Sequence, residues 1–368
     1  MNRREFLRVL GGAFVAAQAR PPVSARAVDL VNESIVVDML HQIVYRVDQA
    51  EVLNRWLSEP GAFTDEDFDQ YRRSGITVIS LGRGSGLYDN ALKYVAEFNG
   101  FVAAYPDRLL RIGRAGDFAR AKREGKLGIL ISFQDSQHFR TVEDVDLFYG
   151  LGQRESQLTY NFRNAIGAGA FESPEIGLTE FGVRIVQRMN EVGMVVDVAH
   201  GGDRTILDAC AASTRPVIVS HGNCRALHPG YPRCVTDEGI RALARTGGVI
   251  GVNFISFMVK AREPTTVDDV VDHIDHVRDL VGIEHVGIGS DFGLESNDRM
   301  PDREQLRRFL AAADPRYHVH AREAVQDLDG PERFYVLTGA LLRRGYTAEH
   351  VKLVIGGNFQ RVLGQVWR

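Results

Sequence analysis

The composition of this sequence excludes several classes of protein. It has only three cysteines, so it carries no disulfide framework of the kind that holds small secreted domains together. Its formal net charge is -4 and no block of lysine and arginine stands out, so nothing indicates nucleic-acid binding. No apolar run is long enough to span a bilayer as a helix. No Gly-x-Gly-x-x-Gly turn follows the first predicted strand, which argues against a dinucleotide-binding open sheet.

The N-terminus has the features of an export signal. Arg3 and Arg4 precede a short apolar run over 9–17, which leads into Ala17-Gln18-Ala19. Paired arginines, a Gly/Ala-rich segment and an A-x-A cleavage site are typical of the twin-arginine route. We therefore expect residues 1–19 to be a signal that directs the protein to the periplasm. Residues 20–33 would be a lead-in, and residues 34–368 a single folded domain.

Two neighbouring apolar segments each end on a histidine. Residues 193–200 and 216–221 are rich in β-branched residues and end at His200 and His221. Segments that are apolar on both faces are typical of strands in a parallel sheet covered by helices, and a helical pattern over 203–212 connects these two. The two imidazoles should therefore meet at the C-terminal edge of the sheet, as a metal-binding pair.

The alternation of strands and helices predicts a barrel. Eight strand candidates lie at 34–38, 76–81, 127–133, 156–161, 194–200, 216–221, 249–254 and 285–291. Helical patterns separate most of them, and further helices follow near 331–344 and 347–354. Eight strands over about 260 residues favour a (β/α)₈ TIM barrel with a C-terminal helical cap.

The ends of the predicted strands supply the candidate site residues. Two imidazoles, His200 and His221, and the carboxylate of Asp291 suit a hydrolytic metal centre with an open position for water. Gln134, Tyr160 and Asn253 end other strands on the same edge and are expected to line the pocket. Tyr160 can donate a hydrogen bond to a developing oxyanion, and Asn253 is expected to contact substrate.

Several ordered motifs resemble the membrane (renal-type) dipeptidase family of amidohydrolase-like barrels. They include Leu158-Thr-Tyr-Asn161, the stretch from Gly177 to His200, Pro216 to His221, Val286 to Asp291 and Gly356 to Arg361. The resemblance covers roughly residues 34 to 365 and implies a zinc dipeptidase, with a homodimer as the family assembly. It implies that His200 and His221 are zinc ligands, that Arg233 holds the substrate carboxylate, and that Asp291 lies beside the reacting centre.

Departures from the family pattern affect the first metal position. Where the family usually has Asp-Gly-His-Asn-Asp, this chain reads Asp38-Met-Leu-His-Gln42, so Leu40 and Gln42 stand at the two ligand positions. Gln134 replaces the bridging glutamate, and Tyr160 replaces an active-site histidine. Leucine cannot bind a metal, and a neutral amide does not offset the repulsion between two cations.

We therefore expect a centre with one divalent ion, zinc first, held by His200 and His221 with a third ligand from Asp291, Gln134 or His41. The ion could also be manganese or iron, because a site with few N/O ligands discriminates weakly. The expected activity is cleavage of a dipeptide or a related small amide. The alternatives are a metal-free binding protein without activity and an enzyme that has acquired other chemistry in the same cavity.

Overall fold

The computed structural model describes residues 23–43, 49–84, 86–172, 176–294 and 322–367, together with 304, 308 and 320. Within them a parallel sheet curls into a nearly closed barrel surrounded by helices, which confirms the predicted fold class. Its strands are β1 (Val37–His41), β2 (Val78–Leu81), β3 (Leu109–Arg111), β4 (Leu127–Phe133), β5 (Gln153–Gln157), β6 (Val195–Asp197), β7 (Val217–Gly222), β8 (Val249–Val252) and β9 (Val286–Ile288).

The barrel order is β1-β2-β4-β5-β6-β7-β8-β9, in which every pairing is parallel. The first and last strands are adjacent, and just beyond the end of β9 the N–H group of Asp291 donates to the carbonyl oxygen of Leu40 in β1 at 2.9 Å. The sequence did not predict the short strand β3, which pairs with the first residues of β4 while β5 pairs with the later ones. The eight predicted strands thus correspond to the eight strands of the barrel path.

Helices flank the strands through most of the described chain. They are α1 (Ala25–Glu33), α2 (Gln49–Ser58), α3 (Asp65–Ser74), α4 (Tyr88–Ala104), α5 (Gly116–Glu124), α6 (Asp144–Leu151), α7 (Glu180–Val192), α8 (Asp203–Ala212), α9 (Asp237–Arg245), α10 (Ser256–Val259), α11 (Val267–Val281), α12 (Arg333–Arg343), α13 (Ala348–Lys352) and α14 (Asn358–Val366). Helix α1 lies in the predicted lead-in, where no helix was expected. None of the helices in the described ranges has the length and apolar character needed to traverse a bilayer.

The polar barrel interior affected the placement of one predicted strand. Strand β1 continues past the buried Asp38, which accepts hydrogen bonds from Ser290 inside the barrel, and ends at His41. The fourth strand was expected at 156–161, but β5 is the polar segment Gln153–Gln157. The polar side chains of this strand form hydrogen bonds inside the protein, so the strand has no apolar pattern in the sequence.

The C-terminal helix α14 closes the barrel at the end where the strands begin. Phe359, Val362 and Leu363 are fully buried and pack against the N-terminal residues of several strands, including Val37 and Val249. Gly287 in β9 makes room for the Phe359 ring, since a Cβ there would lie 2.3 Å from it. The opposite, C-terminal edge of the strands is left for the site, as expected for this architecture.

Candidate active site

The barrel brings His200 and His221 into direct contact. His221 lies within β7, and His200 lies three residues beyond the end of β6. Their Nε2 atoms face each other at 2.9 Å, and both side chains are buried. The βαβ unit inferred from the sequence therefore places the two imidazoles side by side at the C-terminal edge.

The other ring nitrogen of each histidine is already engaged. Nδ1 of His200 lies 2.6 Å from Asn161 Oδ1, and Nδ1 of His221 lies 2.9 Å from Ser220 Oγ. Burial lowers the pKa of both imidazoles well below the ordinary value, and the positive charge of Arg233 acts in the same direction. Both rings are therefore neutral at neutral pH, which is the form that binds metal ions.

Asp291 lies beside this pair. Its Oδ2 is 3.9 Å from His221 Nε2, and its Oδ1 accepts a hydrogen bond from Gln42 Nε2 at 3.2 Å. Burial raises the pKa of Asp291 to about 7, against the opposing effects of the Gln42 hydrogen bond and of Arg233. Among the described residues no three His, Cys, Asp or Glu side chains form a complete metal-binding group, so Asp291 adjoins the pair without closing a cage around it.

Backbone strain concentrates at these residues. His200 and Asp291 both have φ near 62°, and no other non-glycine residue of the described ranges has a positive φ. A histidine or aspartate in this left-handed region costs free energy, and such residues cluster at functional sites. The two strained residues, His200 and Asp291, are both candidate site residues predicted from the sequence.

Arg233 is a buried cation whose Nη2 atom has no hydrogen-bonding partner among the described residues. The residue is only 4% exposed. No carboxylate in the described chain forms an ion pair with it, yet its charge affects His200, His221 and Asp291. A buried charge with an unsatisfied donor is costly in free energy, and an anionic group at Nη2 would offset that cost.

Tyr160 covers the histidine pair. Its ring stacks on that of His200 with a centroid distance of 4.0 Å and an interplanar angle of 22°, and the residue is 42% exposed. It lies in the loop after β5, which also carries Asn161. Tyr160, predicted from the sequence to line the pocket, therefore lies on the solvent-facing side of the histidine pair.

The residues at the first metal position offer no carboxylate and no imidazole. The side chains of Leu40 and Gln134 both lie against Gly82, while Gln42 contacts Asp291. His41, offered by the sequence as a ligand, is turned towards Asp38 and Tyr71, with Nδ1 3.1 Å from Asp38 Oδ2. The structure therefore does not bring His41 to the imidazole pair.

Asn253 is fully buried among structural contacts. Its Oδ1 accepts hydrogen bonds from Asn223 Nδ2 and from the backbone N–H of Ile255, and its Nδ2 lies 3.4 Å from Met258 Sδ. These contacts anchor the loops after β7 and β8. Its role in substrate binding stays a prediction.

Sequence reasoning missed the buried polar network under the histidines. Ser80 donates to Glu155, Glu155 is hydrogen-bonded to Asp197, and Ser220 donates to Asp197. The only signal was Asp197 and the two serines inside otherwise apolar strands, while Glu155 lies in a polar strand that carries no such signal. That signal shows burial but does not reveal which strands place their polar side chains next to one another.

Two other buried histidines lie outside the site. His138 is buried against Phe133, Phe139 and Phe148 and contacts Gln153. His273 in α11 is also buried. It accepts a hydrogen bond from Cys224 N–H and donates one to Val259 O, so it serves as a structural tie.

Comparisons with known proteins point to one family. The sequence profile described as Membrane dipeptidase (Peptidase family M19) matches residues 25–327. Dipeptidase tcpJ of Claviceps purpurea is 32% identical over 266 residues, 71% of this chain and 56% of that protein. Dipeptidase verJ of Clonostachys rogersoniana is 31% identical over 268 residues, 72% of this chain and 62% of that protein. The chain thus spans little more than half the length of these curated relatives.

Solved structures agree on the fold. An amidohydrolase from Pseudomonas aeruginosa is 27% identical, with a TM-score of 0.77 over 93% of this chain and 99% of that chain. A metallopeptidase from Rhodobacter sphaeroides, liganded with a phosphinate mimic of the dipeptide L-Ala-D-Ala, is 18% identical, with a TM-score of 0.74. The match covers 91% of this chain and all of the other, and at this identity it supports the fold alone.

Proposed function

Because the chain belongs to the membrane dipeptidase family M19, we propose that it is a metallohydrolase that cleaves a dipeptide or a related small amide. The observation that carries the proposal is the convergence of two neutral imidazoles, one carboxylate and one guanidinium with an unsatisfied Nη2 atom on a single edge of the barrel. Imidazoles bind the ion, a carboxylate handles protons, and a guanidinium holds a substrate carboxylate.

The donor set fits one divalent ion better than two. His200 and His221 direct Nε2 atoms at a common point, and zinc accepts imidazole nitrogen together with carboxylate oxygen. The residues at the other family position are Leu40, which has no donor atom, and Gln134, whose amide is neutral. We therefore assign one ion, zinc in the first place, to His200 and His221, with Asp291 within reach of it.

When bound, the ion would supply Lewis-acid polarisation of the scissile carbonyl. The chain's own residues supply the remaining functions. Gln42 occupies Oδ1 of Asp291, so Oδ2 remains to take a proton from the attacking water and pass it to the leaving amine nitrogen. A carboxylate with a pKa near 7 is well matched to both transfers at neutral pH.

Arg233 defines the substrate class. A free carboxylate can accept two parallel hydrogen bonds from a guanidinium, and this pairing would neutralise the buried charge. We therefore assign substrates that carry a carboxylate next to the scissile amide, as a dipeptide or an acylated amino acid does. Tyr160 lies on the open side of His200, where it can contact the same substrate.

The test is metal content per chain, followed by hydrolysis. We expect about one tightly held divalent ion, lost in the His200→Ala/His221→Ala variant and retained in a His276→Ala/His350→Ala control. We also expect hydrolysis of dipeptides with a free carboxylate and not of their C-terminal amides. No ion after incubation with zinc or manganese would overturn the proposal, and an ion without hydrolysis would favour the binding-protein alternative.

We also propose that the protein reaches the periplasm by the twin-arginine route. The proposal depends on Arg3, Arg4 and the A-x-A segment, which lie outside the described residues. Mature protein that begins near Arg20 in the periplasmic fraction, and its loss in the Arg3→Lys/Arg4→Lys variant, would support it. The suggested homodimer stays a prediction that sedimentation of the purified protein would check.

A further inference from the structure

We propose that Asp197, acting through Ser220, holds His221 in the tautomer that leaves Nε2 free to bind a metal ion. Asp197 and Ser220 are then positioning residues, because neither contacts the substrate or the ion. The consequence for metal binding rests on the proposed function. The tautomer itself does not, because it can be measured in the metal-free protein.

Both carboxylate oxygens of Asp197 accept hydrogen bonds. Its Oδ1 accepts two from the backbone, donated by the N–H groups of Ala199 and Ser220, both at 2.9 Å. Its Oδ2 accepts the hydroxyl of Ser220 at 2.5 Å, a short distance typical of a hydroxyl that donates to a carboxylate. The single proton of the Ser220 hydroxyl is therefore committed to Asp197.

The direction of the next hydrogen bond follows. Ser220 Oγ lies 2.9 Å from His221 Nδ1, and with its own proton already donated it can only accept. His221 must therefore carry its proton on Nδ1 and present an unprotonated Nε2 towards His200. Partners of this kind, which orient a ligating histidine through its second nitrogen, commonly contribute to metal affinity.

Glu155 makes Asp197 the charged member of a buried pair. Glu155 is 1% exposed, and burial together with the neighbouring Asp197 holds its pKa well above the ordinary value. Glu155 therefore keeps its proton and donates it to Asp197, while its Oε2 accepts the hydroxyl of Ser80 at 3.0 Å. Burial raises the pKa of Asp197 as well, but the four donors around it, two of them backbone groups, act in the opposite direction and favour the carboxylate form there over that of Glu155.

The arrangement predicts that Asp197→Asn reverses the chain of hydrogen bonds. The side-chain oxygen of the introduced amide must stay at the Oδ1 position, because two backbone N–H groups need an acceptor there. The amide nitrogen then replaces Oδ2 and donates to Ser220 Oγ. This frees the hydroxyl proton of Ser220 to be donated to His221 Nδ1, so that the proton of His221 moves to Nε2. The change is nearly isosteric, so it alters the direction of the hydrogen bonds with little change in volume.

The matched control is Glu155→Gln, a carboxyl-to-amide change in the same network. Glutamine can still accept from Ser80 through its oxygen and donate to Asp197 through its nitrogen, as protonated Glu155 does. Asp197 then remains the acceptor of the Ser220 hydroxyl. We expect this variant to keep the wild-type tautomer of His221.

The experiment is nitrogen NMR of the metal-free full chain labelled at histidine, with the His221 signals assigned from a His221→Asn variant. We expect a proton on Nδ1 in the wild type and in Glu155→Gln, and on Nε2 in Asp197→Asn. Zinc titration against a competing chelator should then give an affinity about 10–100-fold lower for Asp197→Asn, and near wild type for Glu155→Gln. Ser220→Ala should lose affinity and Ser220→Thr should restore it.

The outcomes are distinguishable. An unchanged tautomer in a folded Asp197→Asn protein would overturn the inference, even if metal affinity fell, because the loss would then reflect packing alone. A reversed tautomer in Glu155→Gln would overturn it as well. A reversed tautomer in Asp197→Asn without any detectable amide hydrolysis by the wild type would leave the inference standing and contradict only the proposed function.

Discussion

At the level of single residues, the site is defined by which polar atoms are already paired and which are not. The Nδ1 atoms of His200 and His221 are engaged, and so is Oδ1 of Asp291. Under the proposed function, the Nε2 atoms, Oδ2 of Asp291 and the guanidinium of Arg233 would bind a metal ion and a substrate. The predictions for single residues concern either these polar groups or a buried group that water does not reach.

Arg233→Met should raise stability and abolish recognition of the carboxylate. Replacing an unpaired buried charge by an apolar side chain of similar volume is expected to stabilise the fold by about 1–4 kcal/mol. Loss of the guanidinium should lower kcat/KM for a dipeptide by about 10²-fold or more. Urea unfolding and steady-state kinetics check the two effects. A loss of stability in Arg233→Met would mean that the guanidinium is paired in the free protein.

Restoring the family residues should create a second metal position. The triple variant Leu40→His/Gln42→Asp/Gln134→Glu places an imidazole and two carboxylates where the chain now offers a leucine and two neutral amides. We expect metal content to rise from about one to about two ions per chain, because the new carboxylates offset the repulsion between the ions. The single variant Leu40→Met is the control. A wild type that already holds two ions would contradict the prediction.

His138 should make the fold sensitive to acid. Burial lowers its pKa to about 4, against about 6.5 in an unfolded chain, so the unfolded state gains a proton first as the pH falls. Its contribution is complete above about pH 6.5 and is lost between about 6.5 and 4, a total of about 3 kcal/mol. Unfolding by urea at several pH values should show a shallower dependence of stability on pH for His138→Met than for the wild type, and an equal dependence in the two proteins would contradict the prediction.

At the level of structural elements, the loop between β5 and α7 positions Tyr160 and Asn161. Asn164 ties this loop together through its Nδ2, which donates to Asp135 and to Leu158 O, and its Oδ1, which accepts two backbone N–H groups. The loop in turn contacts the segment that holds His200, since Ala170 N–H donates to His200 O at 2.7 Å. The position of His200 relative to His221 therefore depends on a loop whose sequence shows no regular pattern.

Asn164→Ala should loosen this loop without unfolding the barrel. The loss of four hydrogen bonds at a partly buried position should cost about 2 kcal/mol and speed amide exchange over residues 158–172. Metal affinity should fall with it, because Asn161 would no longer hold His200. Asn190→Ala removes a similar hydrogen-bonded cluster at Ser213 and Thr214 and should leave exchange in this loop unchanged. Equal exchange in both variants would contradict the assignment.

Across the molecule as a whole, stability and chemistry lie at opposite ends of the barrel. Helix α14 packs at the end where the strands begin, and the candidate site lies where they finish. Changes at the α14 end should therefore act on folding alone.

Phe359→Ala should destabilise the protein strongly and leave the site intact. The ring is fully buried and fills the space beside Gly287, so its removal leaves a cavity that should cost about 3–5 kcal/mol. Metal content and KM of the remaining folded protein should match the wild type. Thermal unfolding, elemental analysis and kinetics on the same sample check this, and a change in KM would show that the two ends are coupled.

Local sequence patterns were enough to predict the barrel and to group several candidate site residues at one of its edges. Apolar strands such as Val195–Asp197 and amphipathic helices such as Val267–Val281 carry patterns that any fold with this sequence must bury. In a parallel barrel the strand ends converge, so His200, His221 and Asp291 could be grouped without coordinates. The polar strand Gln153–Gln157 was placed wrongly, because its inward side chains satisfy one another instead of forming an apolar face.

What these residues can do depends on contacts between distant parts of the chain. Gln42 and Asp291 are 249 positions apart, and Ser80 and Glu155 are 75 positions apart, so no local pattern predicts either contact. Protonation state, tautomer and the pairing of a buried charge depend on neighbours and on distance from water. These properties depend on contacts that form only when the strands lie side by side. The sequence therefore suggested candidate residues, and the tertiary structure decided which of their atoms are hydrogen-bonded and which are free.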